Sequence, residues 1–263
     1  MGYSVIQHTG LLDLPHADVL FLHIDRTVLP DEYVARTAEY PVVINGRAVD
    51  ISRHRYSMAR LSQNDGYDGP VIIKTNANYG GLPERRGQAE RRSPLARLAR
   101  HAARIWPGTQ WAENTGSIDW STVDHLNPRH YPILENPGEV PAEVWNNTHL
   151  VVEKFLPERE GEFFYVRYWT FLGDQSMSGR YGSRHPIVKF GGMATPDTFV
   201  EPPPELRQWR ERLGLDYGRL DYVMHEGKPI LLDANKTLGG GDSIMAYRNR
   251  FDILATGIAA YLS

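Results

Sequence analysis

The clearest signal in the chain is the stretch GRLDYVMHEGKPILLDANKTLGG, residues 218–240. Two runs typical of β-strands, RLDYVM and KPILLDAN, are separated there by the short polar turn His225-Glu226-Gly227. This pattern predicts an antiparallel hairpin. Because side chains alternate along a strand, Asp233 and Asn235 project from one face, and the tight turn is expected to bring Asp221 opposite them.

These three side chains supply the ligands that magnesium takes in proteins. Asp221 and Asp233 offer carboxylates and Asn235 offers an amide oxygen, all of them hard oxygen ligands. A single Asp in a hairpin is more often a solvated surface group. Strands disfavour Asp and Asn, however, so two of them one residue apart in an apolar run need a specific reason. The set therefore predicts a magnesium site that is completed by water and phosphate oxygens.

Upstream of the hairpin, the sequence predicts a small N-terminal lobe and then a larger domain. The run DVLFLHI at 18–24 is short and apolar, residues 31–39 have a helical pattern, and PVVIN at 41–45 is typical of a second strand. This βαβ-like opening is shorter than a typical domain. We therefore predict an α/β lobe over residues 1–65 and a second domain over residues 66–263.

The second domain is predicted to be rich in β-structure. Strands are expected at GPVIIK (69–74) and PIVKF (186–190), and THLVVEKFL (148–156) is expected to pair with EFFYVRYWTFLGD (162–174). Helices are expected over 93–106, 202–213 and 244–262. Residues 107–147 show no sustained period, so no element is predicted there.

The composition excludes several classes of function. The 263 residues carry a net charge of −3, so no uniform positive field attracts nucleic acid or an anionic membrane. The absence of cysteine excludes disulfides, thiolate metal ligands and cysteine nucleophiles. Walker, Rossmann, zinc-protease and serine-hydrolase motifs, a signal-peptide pattern and an apolar run of membrane-spanning length are absent from the sequence. A cytoplasmic enzyme is the expectation.

The spacing of the hairpin residues is similar to that of a known family. R-x-D, followed twelve residues later by D-x-N and then by T-x-G, resembles the metal-binding hairpin of ATP-grasp enzymes, most like the D-alanine:D-alanine ligase type. The resemblance implies that Asp221, Asp233 and Asn235 hold two Mg²⁺ ions that bridge the ATP phosphates. It also implies that Arg219 stabilises charge on the transferred phosphoryl group. Members of the family usually carry Glu where Asp233 stands, so the carboxylate here has a shorter reach.

A second stretch, VVEKFLPERE at 151–160, resembles the strand by which the same family binds adenosine. The resemblance implies that Glu153, Lys154 and Leu156 bind adenine, partly through backbone groups, and that Glu160 binds the ribose. An exposed, charged edge strand would have the same sequence pattern, so this match is less specific than the hairpin.

Four further residues complete the implied nucleotide site. Lys74 resembles a lysine that touches the α- and β-phosphates, and Lys189 resembles a second phosphate lysine with a catalytic role. Ile72 and Leu232 fall where the family places aliphatic side chains above and below adenine. A lysine at the end of a buried strand also reaches water simply by its length, and aliphatic strand residues are commonly core.

Together these observations predict an α+β ATP-grasp fold in which two β-rich subdomains clasp ATP. The implied activity is that of an ADP-forming carboxylate–amine ligase acting through an acyl phosphate, with Mg²⁺ and small-molecule or peptide substrates. Two alternatives stay open: an ATP-grasp kinase that phosphorylates a hydroxyl, and an ATP-binding regulatory module without turnover. A homodimer is expected from the frequency of such assemblies.

Overall fold

A computed structural model of the chain describes residues 2–86, 118–238 and 248–262. Contacts divide the chain into two units with interleaved bounds. The first unit consists of Met1–Ile51, Val166–Tyr181 and Thr195–Ser263, and the second of Ser52–Tyr165 and Gly182–Ala194. The predicted division into a lobe over residues 1–65 and a domain over residues 66–263 stays a prediction.

The first unit opens with the predicted βαβ pattern. Strand β1 (Val19–Phe21) pairs in parallel with β2 (Val42–Ile44), and helix α1 (Asp31–Thr37) connects them. Ile44 is fully buried and packs with Leu172 and Leu254 in the core of this unit.

The larger sheet of the first unit holds the predicted hairpin. Its five strands include β7 (Phe163–Leu172), β8 (Gln175–Ser183), β9 (Tyr217–His225) and β10 (Lys228–Asn235). β9 pairs with both β10 and β7, while β8 pairs with β7. Aromatic and β-branched residues dominate β7, which suits them to a pleated, half-buried surface. The predicted hairpin of β9 and β10 is confirmed.

The second unit is built on a three-stranded antiparallel sheet. Strand β3 (Val71–Thr75) lies between β4 (Ile133–Leu134) and β5 (Leu150–Lys154). All five residues of β3 are buried, and their apolar members form the core with residues of β5 and neighbouring loops. β6 (Glu158–Glu160) pairs with the start of β7.

The described residues include four further short helices. They are α2 (Arg53–Tyr56), α3 (Ala142–Asn146), α4 (Glu205–Arg212) and α5 (Arg248–Ala255), with 3₁₀ turns at Asn78–Gly81, Pro137–Glu139, Phe190–Gly192 and Thr256–Tyr261. None of the helices in the described ranges has the length and apolar character that a membrane crossing requires. The predicted α+β class is confirmed.

Two predictions about strands are wrong. THLVVEKFL and EFFYVRYWTFLGD each contain a strand, but these do not pair, because β5 pairs with β3 and β7 pairs with β6, β8 and β9. PIVKF is not a strand, and its Lys189 precedes a 3₁₀ turn. One of the strands that pair with β7, β8, was not predicted, because its sequence QSMSGRYGS is mostly small and polar. The helix predicted over 93–106 lies outside the described residues.

The close approach of β9 and β10 beside the predicted metal ligands depends on Gly218. A Cβ atom at this position would overlap the carbonyl oxygen of Asn235 on the neighbouring strand. We expect Gly218→Ala to lower the free energy of unfolding by about 1–3 kcal/mol, because the strands must separate. Denaturant unfolding measures this effect. Gly191→Ala, where the nearest atom is 3.7 Å from the added Cβ, is the matched control and should be near neutral; equal losses in both variants would contradict the prediction.

Candidate functional site

The turn of the β9–β10 hairpin fixes where pairing starts. Glu226 and Gly227 both have positive φ angles, of 50° and 75°, as a two-residue turn with the twist of a hairpin requires. His225 therefore lies opposite Lys228, and the ladder runs regularly to the pair formed by Leu231 and Tyr222.

The register then shifts by one residue at Leu232. Asp233 lies opposite Asp221, and Asn235 lies opposite Arg219. Regular pairing from the turn would instead have placed Asp233 opposite Leu220, which is fully buried. The extra residue in β10 is a β-bulge, and it turns Asp233 to the face that carries Asp221.

Polar side chains consequently form two rows across one face of the sheet. One row is Tyr168, Asp221 and Asp233, and the next is Thr170, Arg219 and Asn235. Directly opposed residues in antiparallel strands project to the same side, with Cβ atoms about 4.5–5.5 Å apart. The structure thus brings together the four hairpin residues that sequence reasoning singled out.

The Arg219 guanidinium is held by three neighbours. Its Nε donates to Oδ1 of Asp221 at 2.6 Å, and its Nη2 donates to the hydroxyl of Tyr181 at 3.1 Å. It also lies 4.5 Å from the centre of the Tyr168 ring. Burial by itself lowers the pKa of Arg219, but Asp221 and Tyr181 outweigh this, so the pKa is raised overall. Burial raises the pKa of Tyr181 to about 12, so its hydroxyl stays neutral.

The residues present fit a divalent cation. Two carboxylates directly opposite each other in a ladder repel, and Arg219 pairs with one of them, Asp221. The Arg219 and Asp221 side chains keep 22% and 19% of their surface exposed, so a hydrated ion is compatible with the site. In the described part of the chain, no group of three or more His, Cys, Asp or Glu side chains could hold a metal. The set proposed here differs because its third ligand is the amide of Asn235.

Glu153 and Lys74 form a buried ion pair in the second unit. Nζ of Lys74 lies 2.7 Å from Oε2 of Glu153, and the two side chains are 10% and 2% exposed. Burial raises the pKa of the Glu153 carboxyl, but attraction to Lys74 and to the buried Arg53 outweighs burial and lowers it overall. The sequence predicted separate contacts with the nucleotide for Glu153 and Lys74. In the structure, these two side chains bind each other.

The backbone of β5 is already bonded on both sides where adenine contacts are expected. The N–H of Lys154 donates to the carbonyl of Ala59 and the N–H of Phe155 to that of Pro70, each at 2.8 Å. β5 lies at the edge of its three-stranded sheet, but this edge is not exposed, because residues 59–61 bond to it. The Lys154 ammonium lies 4.9 Å from the centre of the Tyr67 ring.

The other predicted nucleotide residues lie at varied depths. Ile72 is buried in β3 opposite Glu153, Leu156 is half-buried, and Glu160 is exposed on β6. Lys189 is half-buried in the second unit, and Leu232 is the bulge residue of the first. Their predicted roles toward ATP stay predictions.

The ion pair predicts a pH dependence of stability. A carboxyl whose pKa is lower in the folded chain stabilises the fold above the pKa of the unfolded chain, and this contribution is lost as the pH falls through the folded-state pKa. We therefore expect the free energy of unfolding to decrease below pH 4.5, the ordinary value for Glu, and Glu153→Gln to flatten that decrease. Urea unfolding at several pH values measures both. Glu162→Gln, in an exposed ion pair, is the control, and an unchanged slope in Glu153→Gln would contradict the prediction.

Sequence reasoning missed several residues that surround Arg219. Tyr168 and Tyr181 lie on strands, where aromatic residues commonly serve packing alone. Asp197 and Arg250 belong to the same cluster although they are distant in the sequence. Each forms a hydrogen bond with the Tyr168 hydroxyl, and they also bond each other. A local motif gives no signal for such contacts.

Comparison with known proteins gave matches only among solved structures, since no protein-family model and no curated protein matches the chain. A RimK-domain ATP-grasp protein from Sphaerobacter thermophilus is similar at 13% identity and a TM-score of 0.44, over 95% of this chain and 83% of that chain. The D-alanine–D-alanine ligase of Bacillus anthracis in complex with ATP is similar at 14% identity and a TM-score of 0.33, over 78% of this chain and 58% of that chain.

A third similar structure is the macrocyclase MdnC of Microcystis aeruginosa, bound with the precursor peptide MdnA. It has 18% identity and a TM-score of 0.30, over 48% of this chain and 41% of that chain. The chain thus spans little more than half of the alanine ligase and less than half of the macrocyclase.

Proposed function

We propose that the chain is an ADP-forming ATP-dependent carboxylate–amine ligase. The observation that carries the proposal is the direct opposition of Asp221 and Asp233 on one sheet face, beside Arg219 and Asn235. Like charges in register on neighbouring strands repel each other, and a cation bound by both relieves that repulsion. A phosphate-bound magnesium ion is the cation that this donor set suits.

In the proposed reaction, a substrate carboxylate oxygen attacks the γ-phosphorus of ATP, and the bond to the bridging oxygen of ADP breaks. The product is an acyl phosphate. The nitrogen of an amine then attacks the acyl carbon, inorganic phosphate leaves, and the amine loses a proton. Phosphoryl transfer of this kind depends mainly on positioning and charge stabilisation, which oriented side chains can provide.

The hairpin residues have distinct proposed roles. Asp221, Asp233 and Asn235 would hold magnesium, which supplies charge neutralisation for the phosphate oxygens when bound. Arg219 would stay cationic throughout the reaction, because its raised pKa keeps the proton on the guanidinium. It would donate hydrogen bonds to the oxygens of the transferred group.

The roles that the resemblance implies for the remaining predicted residues are also part of the proposal. Ile72, Lys74, Glu153, Lys154, Leu156, Glu160 and Lys189, together with Leu232 of the hairpin, keep their implied roles toward ATP. Because the N–H groups of Lys154 and Phe155 are bonded to protein carbonyls, a backbone N–H contact with adenine would have to come from elsewhere in this segment, such as Leu156.

An ADP-release screen over pairs of amino acids, short peptides and small carboxylates tests the proposal. A ligase releases ADP and free phosphate and forms an amide that mass spectrometry detects. Phosphate retained on the product would instead identify a kinase. Binding of ATP without ADP release from any pair would identify a regulatory module and refute the proposed enzyme.

A further inference from the structure

The side chains behind Arg219 form a second polar cluster. Arg219 lies on the ring of Tyr168, whose hydroxyl points away and donates to Oδ2 of Asp197 at 2.7 Å. Nη1 of Arg250 donates to the same Oδ2 at 3.1 Å and to the Tyr168 hydroxyl at 3.3 Å. Asp197 and Arg250 therefore fix the far end of the ring whose face supports Arg219.

The Asp197 carboxylate is buried, although burial of a charged group is unfavourable in free energy. Its side chain is 5% exposed, and its second oxygen, Oδ1, has no hydrogen-bond donor among the described residues. A carboxylate removed from water is unfavourable unless it is paired and hydrogen-bonded. The partners that it does have, Tyr168 and Arg250, are those that immobilise the ring.

Gly179 on β8 provides the space for this arrangement. A Cβ atom there would overlap Oδ1 of Asp197 and would lie 2.8 Å from the hydroxyl and from Cε1 of Tyr168. Glycine therefore leaves room at position 179 for both the Asp197 carboxylate and the Tyr168 ring. Tyr168 is also the direct cross-strand neighbour of Asp221, so a shift of its ring would reach the metal-ligand row.

We propose that Tyr168, locked by Asp197 and Arg250, is a positioning residue that sets the direction of the Arg219 guanidinium. Its catalytic consequence rests on the proposed function, since Arg219 is the group assigned to the transferred phosphoryl. The ring supports the guanidinium from one side, while Asp221 and Tyr181 hold its edge. Without the hydrogen bonds with Asp197 and Arg250, which we call the lock, the Tyr168 ring can move. Arg219 then keeps its charge, but its guanidinium no longer points in a fixed direction.

The test separates positioning from catalysis. Arginine Nε–H exchange with water is measured by NMR on the full chain without nucleotide, and Arg219→Lys identifies the signal. We expect Tyr168→Phe and Asp197→Asn to speed exchange at Arg219 by about tenfold, because the ring loses its anchor. ADP release is expected to fall by about ten- to a hundredfold in kcat, with KM for ATP nearly unchanged.

Tyr40→Phe is the matched control, because the Tyr40 hydroxyl also donates one hydrogen bond in the first unit, to the carbonyl of Pro15. Wild-type exchange at Arg219 in both lock variants would overturn the proposal. So would faster exchange with an unchanged kcat, or equal losses in the control. If the wild-type chain releases no ADP, the proposed function fails, and the exchange rates by themselves decide whether Tyr168 positions Arg219.

Discussion

Replacement of Asp233 by alanine is expected to reduce ATP turnover by on the order of 10³-fold while the fold is retained. The substitution removes one of two opposed carboxylates and with it half of the proposed acidic pair. Phosphoryl transfer depends on charge neutralisation at the phosphate oxygens, so the loss should appear mainly in kcat. Removing one of two opposed like charges should not weaken the hairpin, and circular dichroism and thermal unfolding check that the fold persists.

The measurement is ADP release at increasing Mg²⁺ concentration. Asp233→Asn, which keeps the shape but not the charge, should need a higher Mg²⁺ concentration for half-maximal turnover. Asp174→Ala is the control, because Asp174 is an exposed carboxylate in the same unit at the turn between β7 and β8. Wild-type turnover in Asp233→Ala would remove the basis of the metal assignment and of the proposed reaction.

Replacement of Glu153 by alanine is expected to lower the free energy of unfolding by about 3–5 kcal/mol. The substitution leaves the buried ammonium of Lys74 without its partner at 2.7 Å and also removes a negative charge that attracts the buried Arg53. An uncompensated buried charge costs far more than the net value of the intact pair. Chemical denaturation of the purified variant measures the loss.

Two variants separate this explanation from others. Glu162→Ala breaks the exposed pair with Arg184 and should cost no more than about 1 kcal/mol. The double variant Glu153→Leu with Lys74→Met removes both charges and should recover much of the loss, since an apolar pair of similar volume is often tolerated. A double variant as unstable as Glu153→Ala would show that lost packing, rather than the stranded charge, causes the effect.

Local patterns in the sequence predicted the elements that carry strong periodicity. The hairpin of β9 and β10, the βαβ opening and the buried strand β3 all have apolar or aromatic runs bounded by turn residues. β8 lacks such a run, and its strand conformation depends on its pairing with β7. The pairing of β5 with β3 was also beyond local reasoning, because strands that pair need not be neighbours in sequence.

In the candidate site too, local sequence patterns predicted some contacts and not others. Residue type and spacing identified Asp221, Asp233, Asn235 and Arg219 as a group. The ion pair between Lys74 and Glu153 joins residues far apart in the chain, and nothing local in either stretch signals it.

The amino-acid sequence alone thus specified the side-chain oxygens of Asp221, Asp233 and Asn235 as candidate metal ligands, and it placed them on two adjacent strands. It did not specify the face of the sheet, because regular pairing from the His225–Lys228 turn would point Asp233 toward the buried Leu220. The bulge at Leu232 moves Asp233 to the opposite face of the sheet, and no residue type in the sequence predicts a bulge there. It arises because Leu231 and Ala234 are both buried although they are three residues apart, a spacing that strict alternation in a strand cannot satisfy.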